Sequence, residues 1–261
     1  MTQHNPVTRP MEAGLKLFPI EAATSPDTRT ADATREYQSI IGGLMFAVLC
    51  TRPDIAFSVT ALSQFNSNPG DVHMQAVKRV LRYLRGTPHY GITYVGQGSA
   101  STQPALTGFC DSDYGNGVVE HRRSVSGYAF TLSGGAISWW TKKQKTVATS
   151  TVEAEYMATT AASKEAIWWR AYMRGLGYDT IEPTVIYSDS QGSIALAKNP
   201  DHHSRTKHID IQYHFIRHHI DQRTIVLKYI STLSNLADVL TKALVRVKHE
   251  TMVKMFGVHP V

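Results

Sequence analysis

The sequence predicts an α/β domain with a mixed sheet flanked by helices, preceded by a small helical segment. Three observations carry this. The first half of the chain shows helical apolar periodicity, while the second half alternates short apolar runs with helical ones. Val125–Leu132 and Ala136–Trp140 flank Ser133-Gly134-Gly135, which reads as an antiparallel hairpin with a glycine turn. Beyond Thr151 strands and helices alternate, giving the order βββαβα(α)βα, in which later strands are joined through helices.

In a chain of 261 residues this leaves room for one large domain or two small ones. Residues 1–34 carry Pro6, Pro10, Pro19 and Pro26 among Thr, Ser and Ala, and read as a linker or the edge of a larger domain. From residue 35 to 96 the pattern is helical. Tyr37, Ile40, Ile41, Leu44, Met45, Val48 and Leu49 form one apolar stripe, and Gly42-Gly43 within it points to close packing on a neighbour. Thr51-Arg52-Pro53-Asp54 breaks that helix and starts another, with Pro53 near the first helical position. A third helix runs from Val72 to Arg85. Its basic face of Lys78, Arg82 and Arg85 suits either phosphates or solvent. Gly91–Val95 reads as a short strand, and Gly96–Ser101 as a linker.

Residues 104–245 make the second unit. Ala105–Cys110 is a strand ending at Asp111, and the hairpin follows it. A long helix starts at Thr151 and stops at Gly175 or Gly177. Val185–Ser188 is a buried strand, and Ser193–Lys198 a short helix. Asp210–His219 is helical, Ile225–Ile230 a strand, and Asn235–Leu244 a last helix. Residues 246–261 read as a tail.

A net charge of +6 and a pI near 9.3 fit a polyanionic partner without requiring one. No run reaches the ~18 apolar residues of a membrane helix, and the first residues lack an apolar signal region, so an intracellular protein is expected. Cys50 and Cys110 lie in apolar segments and are expected as buried free thiols.

Five carboxylates stand out. Asp111 closes a strand, where aspartate is a common turn former. Asp189 follows a strand, where it competes with a capping role, and Asp238 lies in the first turn after Asn235. At the long helix, Ser150-x-x-Glu153 has the capping-box pattern and gives Glu153 a structural job. Glu155 is turned roughly 200° from it and shares a face with Ala158 and Ala162, small residues that let a helix approach a sheet. A sheet-facing acid needs a compensating charge, which a cation supplies. Glu155 is therefore the preferred ligand, with Glu153 in reserve. Together Asp111, Glu155, Asp189 and Asp238 are candidates for a site of paired divalent cations that cuts nucleic acid. Mg²⁺ suits oxygen ligands of this kind, and Mn²⁺ is the alternative.

The segments Tyr37–Met45, Thr51–Ile55, Leu81–Thr87, Arg122–Tyr128, Glu153–Tyr156, Ser204–Asp210 and Asn235–Lys242, in that order, resemble the C-terminal part of a copia-type retrotransposon polyprotein. The matched portion is similar to the end of a reverse transcriptase (a thumb and connection remnant) followed by its RNase H domain. The resemblance implies an RNase H-like fold and hydrolysis of the RNA strand of an RNA–DNA hybrid. It maps the family's four acidic ligands onto Asp111, Glu155, Asp189 and Asp238. It also implies two metal ions, one activating water and one stabilising the leaving 3′ oxygen, a polymerase domain missing from this chain, and a place in a cytoplasmic virus-like particle or the nucleus. Arg122, Arg123, Lys142, Lys143 and Lys145, with Arg82 and Arg85, are candidate contacts to the hybrid's phosphates.

Departures from the family pattern are specific. The loop Ser231–Ser234 lacks the histidine many RNases H carry there, and His208 is a candidate substitute. No Tyr-x-Asp-Asp motif is present, so no DNA synthesis is expected. Asp210, His214 and His218 share a helical face that could take Zn²⁺, but with no cysteine nearby a solvated face is favoured. The rival functions are an idle hybrid-binding module from a decayed element and an integrase-like nuclease acting on duplex DNA.

Overall fold

The computed structural model describes residues 5–19, 31–95, 105–115, 123–178, 181–198 and 207–261, with side chains in the last stretch from residue 212 onward. The Gly96–Ser101 linker, Arg122 and the His208 and Asp210 side chains lie outside the described residues. Helices α1 (Ala31–Cys50), α2 (Ala56–Ser63) and α3 (Asp71–Gly86) come first, followed by strand β1 (Tyr90–Ile92). Then come β2 (Thr107–Asp113), β3 (Val125–Leu132), β4 (Gly135–Lys143), α4 (Thr151–Gly175), β5 (Thr184–Ser188), α5 (Gln191–Lys198), α6 (Lys207–Asp221) and β6 (Ile225–Tyr229). Helix α7 (Arg246–Met255) and strand β7 (Val258–Pro260) close the chain.

Five strands form one sheet in the order β4-β3-β2-β5-β6. The β2–β3 and β3–β4 pairs are antiparallel, and the β2–β5 and β5–β6 pairs parallel. This is the mixed, helix-flanked sheet expected. One face packs on α4, α5 and α6 through Phe130, Tyr156, Ile186, Ile194, Ile216 and Leu227. Ala154, Ala158, Ala162 and Ala166, spaced by four along α4, are all buried, so the helix lies close on the sheet, since interaxial distance follows side-chain size.

The opposite face has a different cover. Tyr37, Ile41, Leu44 and Val48 of α1, Val77 and Val80 of α3, Met252 of α7 and Phe256 just after it join Phe109, Val125 and Ala129 of the sheet in one core. The helical segment therefore shares its core with the sheet. Gly42 and Gly43 lie on the solvent side of α1, and nothing described comes within 4 Å of a Cβ placed at either. The expected packing partner is absent among the described residues. Cys110 is buried and free, whereas Cys50, off the buried stripe of α1, is exposed.

Two further differences concern the C-terminal end. Residues after Val245 form α7 and β7, and β7 pairs antiparallel with β1. The helix expected over Asn235–Leu244 is instead a 3₁₀ turn, Leu236–Leu240. Every residue of that turn is buried, which leaves no polar face for a longer helix to turn to solvent. It also crosses β3 closely: a Cβ on Gly127 would stand 2.7 Å from Leu240 Cβ and 3.4 Å from its carbonyl carbon.

Candidate metal centre

Asp111 lies near the end of central strand β2, and Asp189 directly follows β5. The parallel register pairs Phe109 with Tyr187, and continuing it by two residues sets Asp111 beside Asp189. Glu155 approaches from the second turn of α4. Oxygens of Asp111, Glu155 and Asp189 all lie within 4.8 Å of one another, and among the described residues they are the only such acidic, histidine or cysteine trio.

Neighbours relieve each acid of the structural job that competed for it. The Ser190 hydroxyl caps α5 by accepting from the Ser193 amide at 3.2 Å, leaving Asp189 free. The Asn235 side chain caps the 3₁₀ turn by accepting from the Ala237 amide at 3.2 Å, so Asp238 is not needed there. At α4 the Ser150 hydroxyl accepts from the Glu153 amide at 3.1 Å, and Glu153 Oε2 accepts from the Thr149 amide at 2.6 Å, one residue before the expected cap amide. Glu153 is thus occupied at the helix start, and Glu155 is the glutamate in the cluster.

The cluster is held by a surrounding polar shell. Asn235 Nδ2 donates to Cys110 O at 3.0 Å and to Asp189 Oδ1 at 3.3 Å, tying β2, the end of β5 and the 3₁₀ turn together. Thr232 Oγ1 donates to Asp189 Oδ2. The Ser112 amide donates to Glu155 Oε1 at 3.3 Å, while Glu155 Oε2 is buried with no hydrogen-bond partner. Gln144 Nε2 reaches Ser126 Oγ at 2.7 Å, Ala154 O at 3.0 Å and Ser112 Oγ at 3.2 Å, which fixes the start of α4 against β2 and β3.

Asp238 stands beside this trio, fully buried, and faces cations. Lys242 Nζ lies 3.1 Å from Asp238 Oδ1, without hydrogen-bond alignment, and 3.5 Å from Asp111 Oδ2. Lys248 of α7 donates to Asp238 Oδ2, and Thr241 Oγ1 donates to Asp111 Oδ2. Burial pushes the Asp111 carboxyl up to about 7 against the pull of Lys242, with Asp238 and Asp189 adding repulsion. Burial, then the charges of Asp111 and Asp189, push Glu155 up to about 9. Burial lowers the Lys242 ammonium, but Asp111 and Asp238 outweigh it and hold it above its ordinary value.

An orphaned carboxylate oxygen among like charges is a site short of positive charge, and a divalent cation with oxygen preference fits it. Asp111, Glu155 and Asp189 are the residues that would hold it. Gln144, Thr241, Lys242 and Lys248 go unnoticed in the sequence reading. Only Lys242 carries a sequence signal, its spacing of four from Asp238, the reach of an i,i+4 ion pair.

The basic candidates divide. Arg123, just before β3, and Lys142, Lys143 and Lys145, at the end of β4, lie at the same sheet end as the acids, since Asp113 pairs with Val125 and Val125 with Lys143. Lys142 and Lys145 are exposed, while Lys143 is half-buried and donates to Gln64 Oε1 at 3.1 Å. Arg82 donates to Asn5 O at 2.7 Å, which holds residues near the N-terminus against α3, and Arg85 is exposed on the same helix. No candidate zinc group is found over His214 and His218 among the described residues.

Fold and site together define an α/β protein with a mixed five-stranded sheet, flanked by helices, and an acidic cluster suited to a divalent cation. Over nearly its whole length the chain is homologous to part of the retrovirus-related Pol polyproteins of plant copia-type transposons. It is 44% identical over 259 residues to the Pol polyprotein of transposon TNT 1-94 from Nicotiana tabacum, covering 99% of this chain and 19% of that one. The chain thus spans about a fifth of the length of the Pol relatives it matches. A secreted RxLR effector protein of Plasmopara viticola is 50% identical over 132 residues, 51% of this chain and 89% of its own. That match covers half the chain, whereas the Pol relatives align with nearly all of it. Among solved structures, LC11-RNase H1 in complex with an RNA/DNA hybrid matches 52% of this chain and 93% of its own, with a TM-score of 0.38 at 16% identity. No family model matches the chain.

No helix among the described residues is long and apolar enough to cross a membrane.

Proposed function

We propose that this chain is the ribonuclease H part of a retrotransposon Pol polyprotein and hydrolyses the RNA strand of RNA–DNA hybrids using two divalent ions, Mg²⁺ or Mn²⁺. The observation that carries this is the convergence of Asp111, Glu155 and Asp189, with Asp238 alongside, at one end of the sheet. Bound there, divalent cations supply a water of lowered pKa and charge stabilisation for the leaving 3′ oxygen. The protein's own part is positional. Asn235 and Thr232 orient Asp189, the Ser112 amide and Gln144 fix Glu155 and its helix, and burial of Asp111 keeps bulk water from the inner side of the cluster. Lys142, Lys145 and Arg123, with Arg122 next to Arg123 in the sequence, would meet backbone phosphates. Discrimination for RNA would come from 2′-hydroxyls in the wide minor groove. The polymerase partner would lie in the part of the polyprotein outside this chain, and the setting would be a cytoplasmic particle or the nucleus.

The test is a strand-labelled hybrid incubated with the purified chain. Mg²⁺ should give cleavage of the RNA strand alone, chelator should abolish it, and Asp189→Asn should remove cleavage while leaving hybrid binding nearly intact. Cleavage that persists in EDTA would overturn the metal mechanism, and preferential cutting of duplex DNA would favour the integrase-like reading.

The raised carboxyls predict how metal and pH trade. Asp111 at about 7 and Glu155 at about 9 lie above their ordinary values of 3.8 and 4.5. Their contribution to folding is therefore complete below the unfolded values and is lost as pH rises through the folded ones. In chelator, thermal melts should fall between pH 5 and pH 9. The rise in melting temperature on adding Mg²⁺ should be small at pH 5 and grow towards pH 9, because the ion competes with protons for the same oxygens. A Mg²⁺ effect independent of pH would count against this pair as ligands.

A further inference from the structure

We propose that Lys242 is a resident counter-cation of the acidic cluster: it limits the substrate-free protein to one divalent ion and admits a second on the Asp111–Asp238 side only by withdrawing. The inference rests on the cluster being a cation site, as proposed above, and adds how many ions it loads and which residue controls that number.

Geometry places the lysine between two acids rather than on one. Its Nζ stands 3.5 Å from Asp111 Oδ2 and 3.1 Å from Asp238 Oδ1, and the two carboxylate side chains are 2% and 0% exposed. The other oxygen of Asp238 accepts from Lys248 Nζ. A second divalent ion would need these same two carboxylates, because Asp111 is the one acid shared by the trio and the lysine pair.

Charge balance points the same way. Four clustered carboxylates face two ammonium groups, leaving a deficit of two charges, which one divalent ion among Asp111, Glu155 and Asp189 cancels. A second ion beside an undisplaced lysine would put a large positive excess into a pocket of low dielectric, where like charges repel far more strongly than in water. Asp113, two residues along β2, adds its attraction for Lys242. The lysine also has a way out. Its side chain is 31% exposed, against 17% for Lys248, and its ammonium sits on a flexible four-carbon stem. Its attachment to Asp238 therefore opens towards solvent, while Lys248 stays in place.

The experiment is a Mn²⁺ titration of the full chain without nucleic acid at pH 8, followed by calorimetry and by the paramagnetic resonance signal of free Mn²⁺. Wild type should bind one ion, Lys242→Arg one ion, and Lys242→Met two, the second at least tenfold tighter than any second binding in wild type. In chelator, Lys242→Met should melt below wild type and gain more from added Mn²⁺. Two equivalent sites in wild type, or a single unaltered site in Lys242→Met, would overturn the role of the lysine while leaving the metal site standing. No binding in wild type would instead sink the metal-site reading itself. Should Lys242→Met fail to fold, Lys242→Gln, polar but uncharged, serves for the same comparison.

Discussion

Asp111→Asn is expected to raise the melting temperature of the metal-free protein while lowering hybrid cleavage by about a thousandfold. The two effects share one cause. Asp111 is buried beside Glu155, Asp189 and Asp238, and burial outweighs the help of Lys242, so its ionised form is disfavoured in the fold. The amide keeps the shape and removes the charge, and each kcal/mol recovered raises the melting point of a chain this size by about 2–4 °C. Hydrolysis loses its central ligand, and several kcal/mol of transition-state stabilisation at one tenfold per 1.36 kcal/mol amounts to ~10³ in rate. Paired melts in chelator at pH 8 and single-turnover cleavage in Mg²⁺ measure both. A variant that melts lower in chelator, or cleaves at the wild-type rate, would remove Asp111 from the proposed role.

Arg52→Ala is the substitution expected to damage the fold most. The Arg52 guanidinium grips Asp54 through two bonds of 2.9 and 2.8 Å, and it donates to Thr87 O at 3.1 Å and Thr87 Oγ1 at 2.7 Å. Tyr83 adds a 2.7 Å hydrogen bond to Asp54 Oδ2, and its ring lies under the guanidinium. Arg52 is 6% exposed and Asp54 2%. Truncating the arginine strands a buried carboxylate, which costs about 3–5 kcal/mol, a large share of the ~5–15 kcal/mol that holds a domain folded. Urea unfolding should show that loss. A double change of Arg52 and Asp54 to leucine should recover part of it, because an apolar pair leaves no charge unpartnered. A loss below about 1 kcal/mol for Arg52→Ala would mean that water reaches this network.

Much of the fold is legible in the sequence. The start of α4 follows from Ser150 and Glu153, and its seating on the sheet from alanines four apart. The convergence of the four acids was carried by the resemblance; from the residues alone, Asp189 and Asp238 had helix caps as rival employment. What decided between these were Ser190 and Asn235, each a polar neighbour that takes the cap instead. Such a choice depends on where a chain turns by a single residue, and periodicity does not resolve that. Helix α7 is hard to read from sequence because its apolar positions are few, and the strand after it pairs with β1, far back in the sequence. Lys248 was hidden with it. Gly42 and Gly43 misled, since glycines in a helix suggest a tight neighbour, and here they face outward.

The shared core behind the sheet bears on how such a polyprotein is partitioned. Leu44, Val80 and Phe256 touch the same greasy nucleus as Phe109 and Val125, so a cut between the first helices and β2 would split one core between two pieces. It would leave half of a clamshell with its oily lining bare. A piece that begins at β2 therefore lacks the back wall of its sheet.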